Sequence, residues 1–306
     1  MAMYFKRKKV APIVLSSKPD TLQSRIDETK DCSYLFYHYK GTNPNIVKNL
    51  NTTGVTNMGH MFYGCSSLTT LDVSNFDTTN VTNMGYMFYQ CSKLTNLDLS
   101  SFDTSQVTSI GYMFGRCSSL ASLDLSSFDT SNVTSMGYMF SGCSKLTSLD
   151  VSSFNTSNVT SMGSMFGNCS KLASLDLSNF NTQNVTSMSG MFIGCSKLTS
   201  LDISNFNTSN VTSMETMFYE CSSLTSLDLS SFNISNVKYM GNMFFGCTAL
   251  QHLDISNFDF TNVTSYSGMF NGVPANCEIL VKDETAKTWI TSKFTNLTNV
   301  KVKGAV

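Results

Sequence analysis

A strict 26-residue repeat is the feature that most limits what this 306-residue chain can fold into. The pair Met-Phe recurs at that step from Met61-Phe62 to Met269-Phe270, with no insertion or deletion. Columns of cysteine, leucine, phenylalanine and valine keep the same step. A unit of this length is too short to bury its own apolar face, so neighbouring units must stack on one another. The sequence therefore predicts one continuous solenoid rather than the two domains that the length alone suggests.

The unit at residues 117–142 shows how one coil is built. Residues 120–125 form an L-x-x-L-x-L pattern whose last leucines alternate with an aspartate, which predicts a short strand. Residues 129–132 have turn chemistry, and residues 137–140 predict a compact helical or 3₁₀ turn. The residues predicted to point inward are Leu120, Leu123, Leu125, Phe128, Val133, Met136, Met139, Phe140 and Cys143.

The L-x-x-L-x-L pattern, at a period within 20–29 residues, resembles a leucine-rich repeat. The fuller unit MFxxCSKLTSLDLSSFxTSNVTSM resembles the BspA-type repeat of bacterial surface proteins, over residues 54–276. The resemblance implies a leucine-rich-repeat-like solenoid of the α/β class, with a parallel β-sheet and short helical or 3₁₀ turns. It also implies exposure at the cell surface and attachment to host cells or matrix.

The repeat divides the chain into three predicted parts. Residues 1–53 form a basic N-terminal arm and a degenerate capping repeat, in which Cys32 and Leu35-Phe36 echo the later frame. Residues 54–276 form a nine-coil solenoid. Residues 277–306 form a strand–helix–strand cap, with Trp289 predicted to cover the last coil. Atypical units at both ends are what a solenoid needs to close its open faces.

Charge is distributed unevenly along the chain. Residues 1–50 have a net charge of +5, and residues 54–270 have a net charge of −8. The overall charge of −1 argues against a nucleic-acid partner, which a basic stripe would indicate. The apolar run after Lys6-Arg7-Lys8-Lys9 is short and interrupted by Pro12, so we expect neither a signal peptide nor a wall anchor. The sequence also predicts no membrane-spanning helix.

The sequence contains no recognisable motif of an enzyme, a metal site or a cofactor site. The three histidines, His38, His60 and His252, belong to none of these motifs. We therefore expect a protein without catalytic residues, metal ligands or cofactors. One cysteine per 26 residues indicates reduced thiols in the core, whereas Cys32 and Cys277 stand outside the strict period and are left open.

An aspartate column is the sharpest polar feature of the repeat. Each aspartate lies between two inward-facing residues, so it points to solvent. The column forms either a strip that binds cations or another ligand, or a solvated face whose carboxylates bond neighbouring Ser and Thr. The candidate binding residues in the early coils are Asp72, Asp98, Asp124 and Asp150.

Tyrosine is concentrated in the early coils, at the positions before and after the Met-Phe pair. Exposed tyrosines give stiff, amphipathic contacts, so one hypothesis is a patch that binds sugar or protein. The alternative is half-buried packing of the rings between coils. The candidate binding residues are Tyr63, Tyr86, Tyr89, Tyr112 and Tyr138.

The sequence as a whole favours a non-enzymatic binding or adhesion protein. Its predicted partner is a protein or glycan on a cell surface, and its predicted location is extracellular. A first alternative is a phage virion component for receptor binding, docked on its assembly through the basic N-terminus. A second alternative is an intracellular scaffold for protein interaction, which the reduced thiols favour.

Overall fold

Parallel bridges between residues one repeat apart run along one side of the solenoid in the computed structural model, which describes residues 19–304. Nine of them connect Asp31 to Ser265 in this part of the chain. In the coil at residues 136–142, four backbone N–H groups donate to the next coil, among them Phe140 to the carbonyl of Met165 at 2.9 Å. We call this the ladder side. The chain is a leucine-rich-repeat-like solenoid whose coils are held in register by these bonds.

The inward-facing residues predicted for residues 117–142 are all buried, together with Cys143 at the start of the next unit. The phenylalanines of the Met-Phe pairs stack along the axis of the solenoid. The ring of Phe140 lies 5.9 Å from the rings of both Phe114 and Phe166, with interplanar angles of 8° and 9°. Each coil therefore adds one flat layer to a continuous apolar column.

The strand predicted at Leu123 and Leu125 is wrong for most coils. Both leucines are buried, but in the described residues the Leu segments form strands only at β1 (Ser226–Asp228) and β2 (His252–Ile255). Only scattered bonds join the earlier segments, such as the N–H of Thr95 to the carbonyl of Thr69 at 2.9 Å.

Coil spacing explains the missing strands. On the Leu side, ring centroids are 6.4 Å apart at Phe76–Phe102 and 6.5 Å apart at Phe206–Phe232. On the ladder side the stacked phenylalanines are closer, 5.4 to 5.9 Å apart. The Leu side is thus the more widely spaced side of the solenoid, in keeping with the absence of a regular β ladder between its earlier segments.

A compact turn is present at residues 137–140 as predicted, but it is not a regular helix. Alternate N–H groups bond three residues back, as from Met139 to Met136 at 3.2 Å, while those between them bond the next coil. Tyr138 and Gly142 have left-handed backbone conformations, with φ of 59° and 80°. A chain that sends every second N–H to a neighbouring coil cannot complete a helix. A 3₁₀ helix is present at Phe260–Asn262.

Buried threonines add a second set of bonds between coils. The hydroxyl of Thr130 donates to the carbonyl of Asn155 at 2.9 Å and accepts from the N–H of the same residue at 2.8 Å. The hydroxyl thus both donates and accepts a hydrogen bond, so its burial does not carry the cost of an unsatisfied polar group. The column comprises Thr52, Thr78, Thr104, Thr130, Thr156, Thr182 and Thr208.

The N-terminal end is covered by α1 (Pro19–Thr29), which the sequence did not predict. Ile26 is fully buried, and Gln23 exchanges two hydrogen bonds with the backbone of Asn51. The inter-coil ladder extends back to Cys32, whose N–H donates to the carbonyl of Asn57 at 2.8 Å. The boundary at residue 54 stays a prediction, and the basic residues 6–9 lie outside the described part of the chain.

The C-terminal end has the predicted order of strand, helix and strand: β3 (Glu278–Val281), α2 (Glu284–Lys293) and β4 (Val300–Val302). All neighbours in the sheet β1-β2-β3-β4 are parallel. Asp283 caps the helix by accepting from the N–H of Ala286 at 2.9 Å. Trp289 stacks on Phe260, with ring centroids 4.2 Å apart, as expected for a cover over the last coil.

Candidate functional site

The turn before each Met-Phe pair places a side chain on the surface of the ladder side. Tyr86, Tyr112 and Tyr138 occupy this position with φ of 58°, 60° and 59°. Left-handed backbone costs most residues roughly 1–2 kcal/mol. Ser164 and Thr216 adopt it at the same position of later coils, with φ of 51° and 54°. The conformation therefore belongs to the turn, and the aromatic ring is not needed to form it.

Five rings in this position stack face to face along the first coils. The four successive centroid distances are 4.5, 4.6, 4.3 and 4.4 Å, with interplanar angles from 15° to 6°. Such short, nearly parallel contacts indicate continuous stacking. This first row consists of Tyr34, His60, Tyr86, Tyr112 and Tyr138.

A second row lies beside the first, at the position after the Met-Phe pair. Tyr63 is 4.9 Å from both Tyr37 and Tyr89, and the guanidinium of Arg116 lies 5.9 Å from the centre of the Tyr89 ring. The rows interlock, because Tyr86 and Tyr89 meet edge to face at 5.6 Å. We call the two rows together the aromatic strip. All five tyrosines proposed from the sequence belong to it.

Stacking decides which parts of the rings a partner can reach. Both faces of Tyr86 and of Tyr112 are covered by neighbouring rings, so a partner can reach these two rings only at their edges. Burial raises the pKa of both phenols, which keeps them protonated at neutral pH. The end rings Tyr34 and Tyr138 are each 40% exposed. Packing between coils is thus present, and a binding role for the strip stays a proposal.

The aspartate column lies on a different, exposed face. The carboxylate of Asp98 accepts from the N–H of Ser100 at 2.9 Å, and the same local bond recurs along the column. The hydroxyl and N–H of Ser100 hold the pKa of Asp98 below its ordinary value. The same local bond is made by Asp72, Asp98, Asp124 and Asp150, each to the serine two residues on. The solvated-face hypothesis accounts for these contacts, and ligand binding there stays a prediction.

A polar groove of about 490 Å³ runs beside the second row of the aromatic strip. One wall carries His38, Gln90 and Arg116, which follow one another in a single column with Gly64 between the first two. The other wall carries Lys40 and a row of serines. Sequence reasoning missed this groove, because its cations belong to two coils and share no short motif.

The repeats also identify the family to which this chain belongs. Three overlapping segments, residues 30–148, 120–194 and 169–282, match the family described as Mycoplasma protein of unknown function, DUF285. The chain belongs to this family. In this DUF285 chain, the aromatic strip and the polar groove both lie within the first matched segment.

Solved structures similar to this DUF285 protein carry leucine-rich repeats. A leucine-rich repeat protein from Bacteroides ovatus is 19% identical over 81% of this chain and 81% of that chain, with a TM-score of 0.33. A leucine rich cell surface protein from Faecalibacterium prausnitzii is 18% identical over 89% and 82%, with a TM-score of 0.30. A T. pallidum leucine-rich repeat protein is 20% identical over 62% and 68%, with a TM-score of 0.32. No curated protein matches the sequence.

The cysteines of the DUF285 repeats are buried free thiols. The thiol of Cys143 donates to the carbonyl of Phe114 at 3.2 Å, and burial raises its pKa to about 12. Cys32 and Cys277, which the sequence left open, are buried free thiols as well, with pKa values raised to about 12 and about 11. Buried protonated thiols react slowly with oxidants and alkylating agents.

Residues 19–304 contain neither a metal-binding cluster nor a helix that could span a membrane. In this part of the chain, His, Cys, Asp and Glu side chains form no group of three or more that could hold a metal ion. No helix in the same range has the length and hydrophobicity to cross a membrane.

His60 is expected to make the stability of the protein depend on pH. Its imidazole lies between Tyr34 and Tyr86, and burial lowers its pKa below the ordinary value of 6.5. The unfolded chain then binds a proton more readily than the folded chain. The free energy of unfolding should therefore fall as the pH is lowered from 7.5 to 5.5. Thermal unfolding of wild type and His60→Tyr at both values tests this. The variant completes the tyrosine row, and an unchanged pH dependence would exclude His60 as its source.

Proposed function

We propose that this protein is a non-enzymatic adhesion protein of the BspA type, whose aromatic strip contacts a protein or glycan on a cell surface. The observation that carries the proposal is the confinement of the stacked first row to the first coils. At the same position, Ser164, Gly190 and Thr216 keep the ladder bond to the next coil, at 2.8 to 2.9 Å. The fold forms there without an aromatic ring, so the rings of the early coils are not explained by folding.

The exposure and the order of the rings in the strip are suited to an interface. Tyr34, Tyr37 and Tyr138 are each 37–40% exposed, and the rings between them are half-buried. Stacked rings are already ordered, so binding costs little further side-chain entropy. Tyrosine also combines a large apolar area with a hydroxyl, which is why it is common among the residues that dominate binding energy.

The decisive variant replaces three rings with residues that the same columns carry elsewhere: Tyr86→Ser, Tyr89→Gly and Tyr112→Ser. Binding of the fluorescent protein to cells should fall at least about tenfold, since buried interface tyrosines dominate affinity. The melting temperature should change by only a few degrees, because the backbone turn tolerates these residues. The matched control is Tyr239→Ser, which removes a 46% exposed tyrosine from a column of serines outside the strip.

The choice of cells separates the adhesin from its alternatives. Wild type, triple variant and control are each incubated with mammalian epithelial cells and with bacterial cells. Binding to epithelial cells that only the triple variant loses supports the adhesin. Binding to bacteria alone would favour the virion component. Absence of binding to either, or equal binding by the triple variant and the control, would contradict the proposal.

A further inference from the structure

The polar groove beside the aromatic strip has a charge opposite to that of the solenoid around it. Residues 38–142, which form the coils around the groove, contain four Lys/Arg and six Asp/Glu, yet no aspartate or glutamate lines the groove. Its two permanent cations, Lys40 and Arg116, are exposed, and neither forms an ion pair among residues 19–304. Two unpaired cations in a concave surface produce a local positive potential that attracts negative charge, so the groove favours an anionic ligand.

The shape of the groove favours an elongated ligand. Arg116 lies three coils along the same column from His38, which is beside Lys40. At about 4.8 Å per coil, the two cationic ends are about 14 Å apart. Between them lie the amide of Gln90 and hydroxyls from the row of serines, one in each coil. The ligand must therefore present acidic groups at intervals and polar groups between them.

The lining distinguishes a sugar from a peptide. Every residue of the groove is polar, charged or glycine, and none has an aliphatic side chain. Peptide-binding grooves gain specificity from pockets for apolar side chains, which this one lacks. Its evenly spaced hydroxyl and amide groups instead match a ligand that carries hydroxyls along its whole length.

We propose that this groove binds an acidic oligosaccharide, with its carboxylate or sulfate groups on Lys40 and Arg116 and its hydroxyls on Gln90 and the serines. The aromatic strip supports one wall of the groove from behind, since the guanidinium of Arg116 lies over the ring of Tyr89. The inference deepens the proposed adhesion and rests on it, because it gives the cell-surface ligand a chemical class.

Two substitutions remove the cations at no cost to the fold. Arg116→Gly introduces the residue found at Gly64 and Gly142 in the same left-handed column, and Lys40→Ser introduces the residue of its own column. The melting temperature of Arg116→Gly should equal or exceed that of wild type, since glycine adopts φ of 59° without strain. Matched controls outside the groove are Asn168→Gly, with φ of 58°, and Lys197→Ser.

Titration calorimetry with four probes tests the assignment: a sulfated hexasaccharide, a uronate-containing hexasaccharide, a neutral hexasaccharide and hexaglutamate. Wild type should bind at least one acidic sugar, and each groove variant should lose about tenfold in affinity, the value of one charged hydrogen bond. Both controls should bind as wild type does, and added salt should weaken binding.

The outcomes separate this inference from the proposed function. If the acidic sugars bind no better than the neutral sugar, if hexaglutamate binds as tightly, or if the groove variants match the controls, the inference is overturned. If cell binding nevertheless depends on the three tyrosines, the adhesion proposal stands without this ligand. If neither acidic sugars nor cells are bound, both proposals fail.

Discussion

Replacing Phe140 with alanine is expected to lower the free energy of unfolding by about 4 kcal/mol, within the range for deletion of a buried phenylalanine ring. The ring is fully buried and stacks on Phe114 and Phe166, so its removal empties one layer of the apolar column and breaks two aromatic contacts. The coils above and below cannot close the gap, because the ladder bonds fix their spacing. Urea unfolding at equilibrium measures the loss.

The matched control for this variant is Tyr138→Ser, two residues away on the same turn. Tyr138 is 40% exposed, and serine occupies its column at Ser164. This change should alter stability by less than about 1 kcal/mol. Equal stability of the two variants would contradict the assignment of Phe140 to the core.

Deleting one whole repeat should be tolerated, whereas deleting one residue fewer should not. Removal of the 26 residues 138–163 joins Gly137 to Ser164 and keeps every later column in register. Removal of the 25 residues 138–162 leaves one extra glycine inside the ladder. The inward side chains of that coil then lose their places above Met113 and Phe114, and the cost should exceed that of one emptied layer, about 4 kcal/mol.

Thermal unfolding followed by circular dichroism distinguishes the two deletions. The 26-residue deletion should keep a single cooperative transition, because a solenoid is stabilised by contacts between neighbouring repeats. The 25-residue deletion should lose this transition or shift it far downward. Similar transitions for both deletions would show that the coils adjust their register freely. That result would contradict the fixed register that the ladder bonds impose.

Sequence reasoning succeeded where one repeat determines the outcome. The 26-residue step placed Leu125, Phe128 and Phe140 in the core, because an identical environment recurs in every coil. The predicted helix of the C-terminal cap is likewise a local feature, since its cap by Asp283 depends on residues three apart. Both results follow from local chemistry repeated at a fixed interval.

The errors concern distances between coils, which a single repeat does not encode. Whether Leu123 joins a β ladder depends on the spacing of the coils on that side, where the phenylalanine rings are further apart than on the ladder side. The left-handed turns did have a signal, because Gly64, Gly142 and three later glycines share one column. Lys40 and Tyr34 escaped notice because the first coil diverges from the rest. Subtracting 26 from His60 would have found Tyr34.

The ladder has a mechanical consequence. Because each coil bonds only to the coils beside it, a pulling force applied to the ends of the chain meets one interface at a time rather than the whole core. Each coil that detaches releases 26 residues, or about 90 Å of extended chain. In the proposed adhesion, a cell held in flowing liquid would be restrained by a tether that lengthens in equal steps, dissipating work at every step while the remaining coils stay folded.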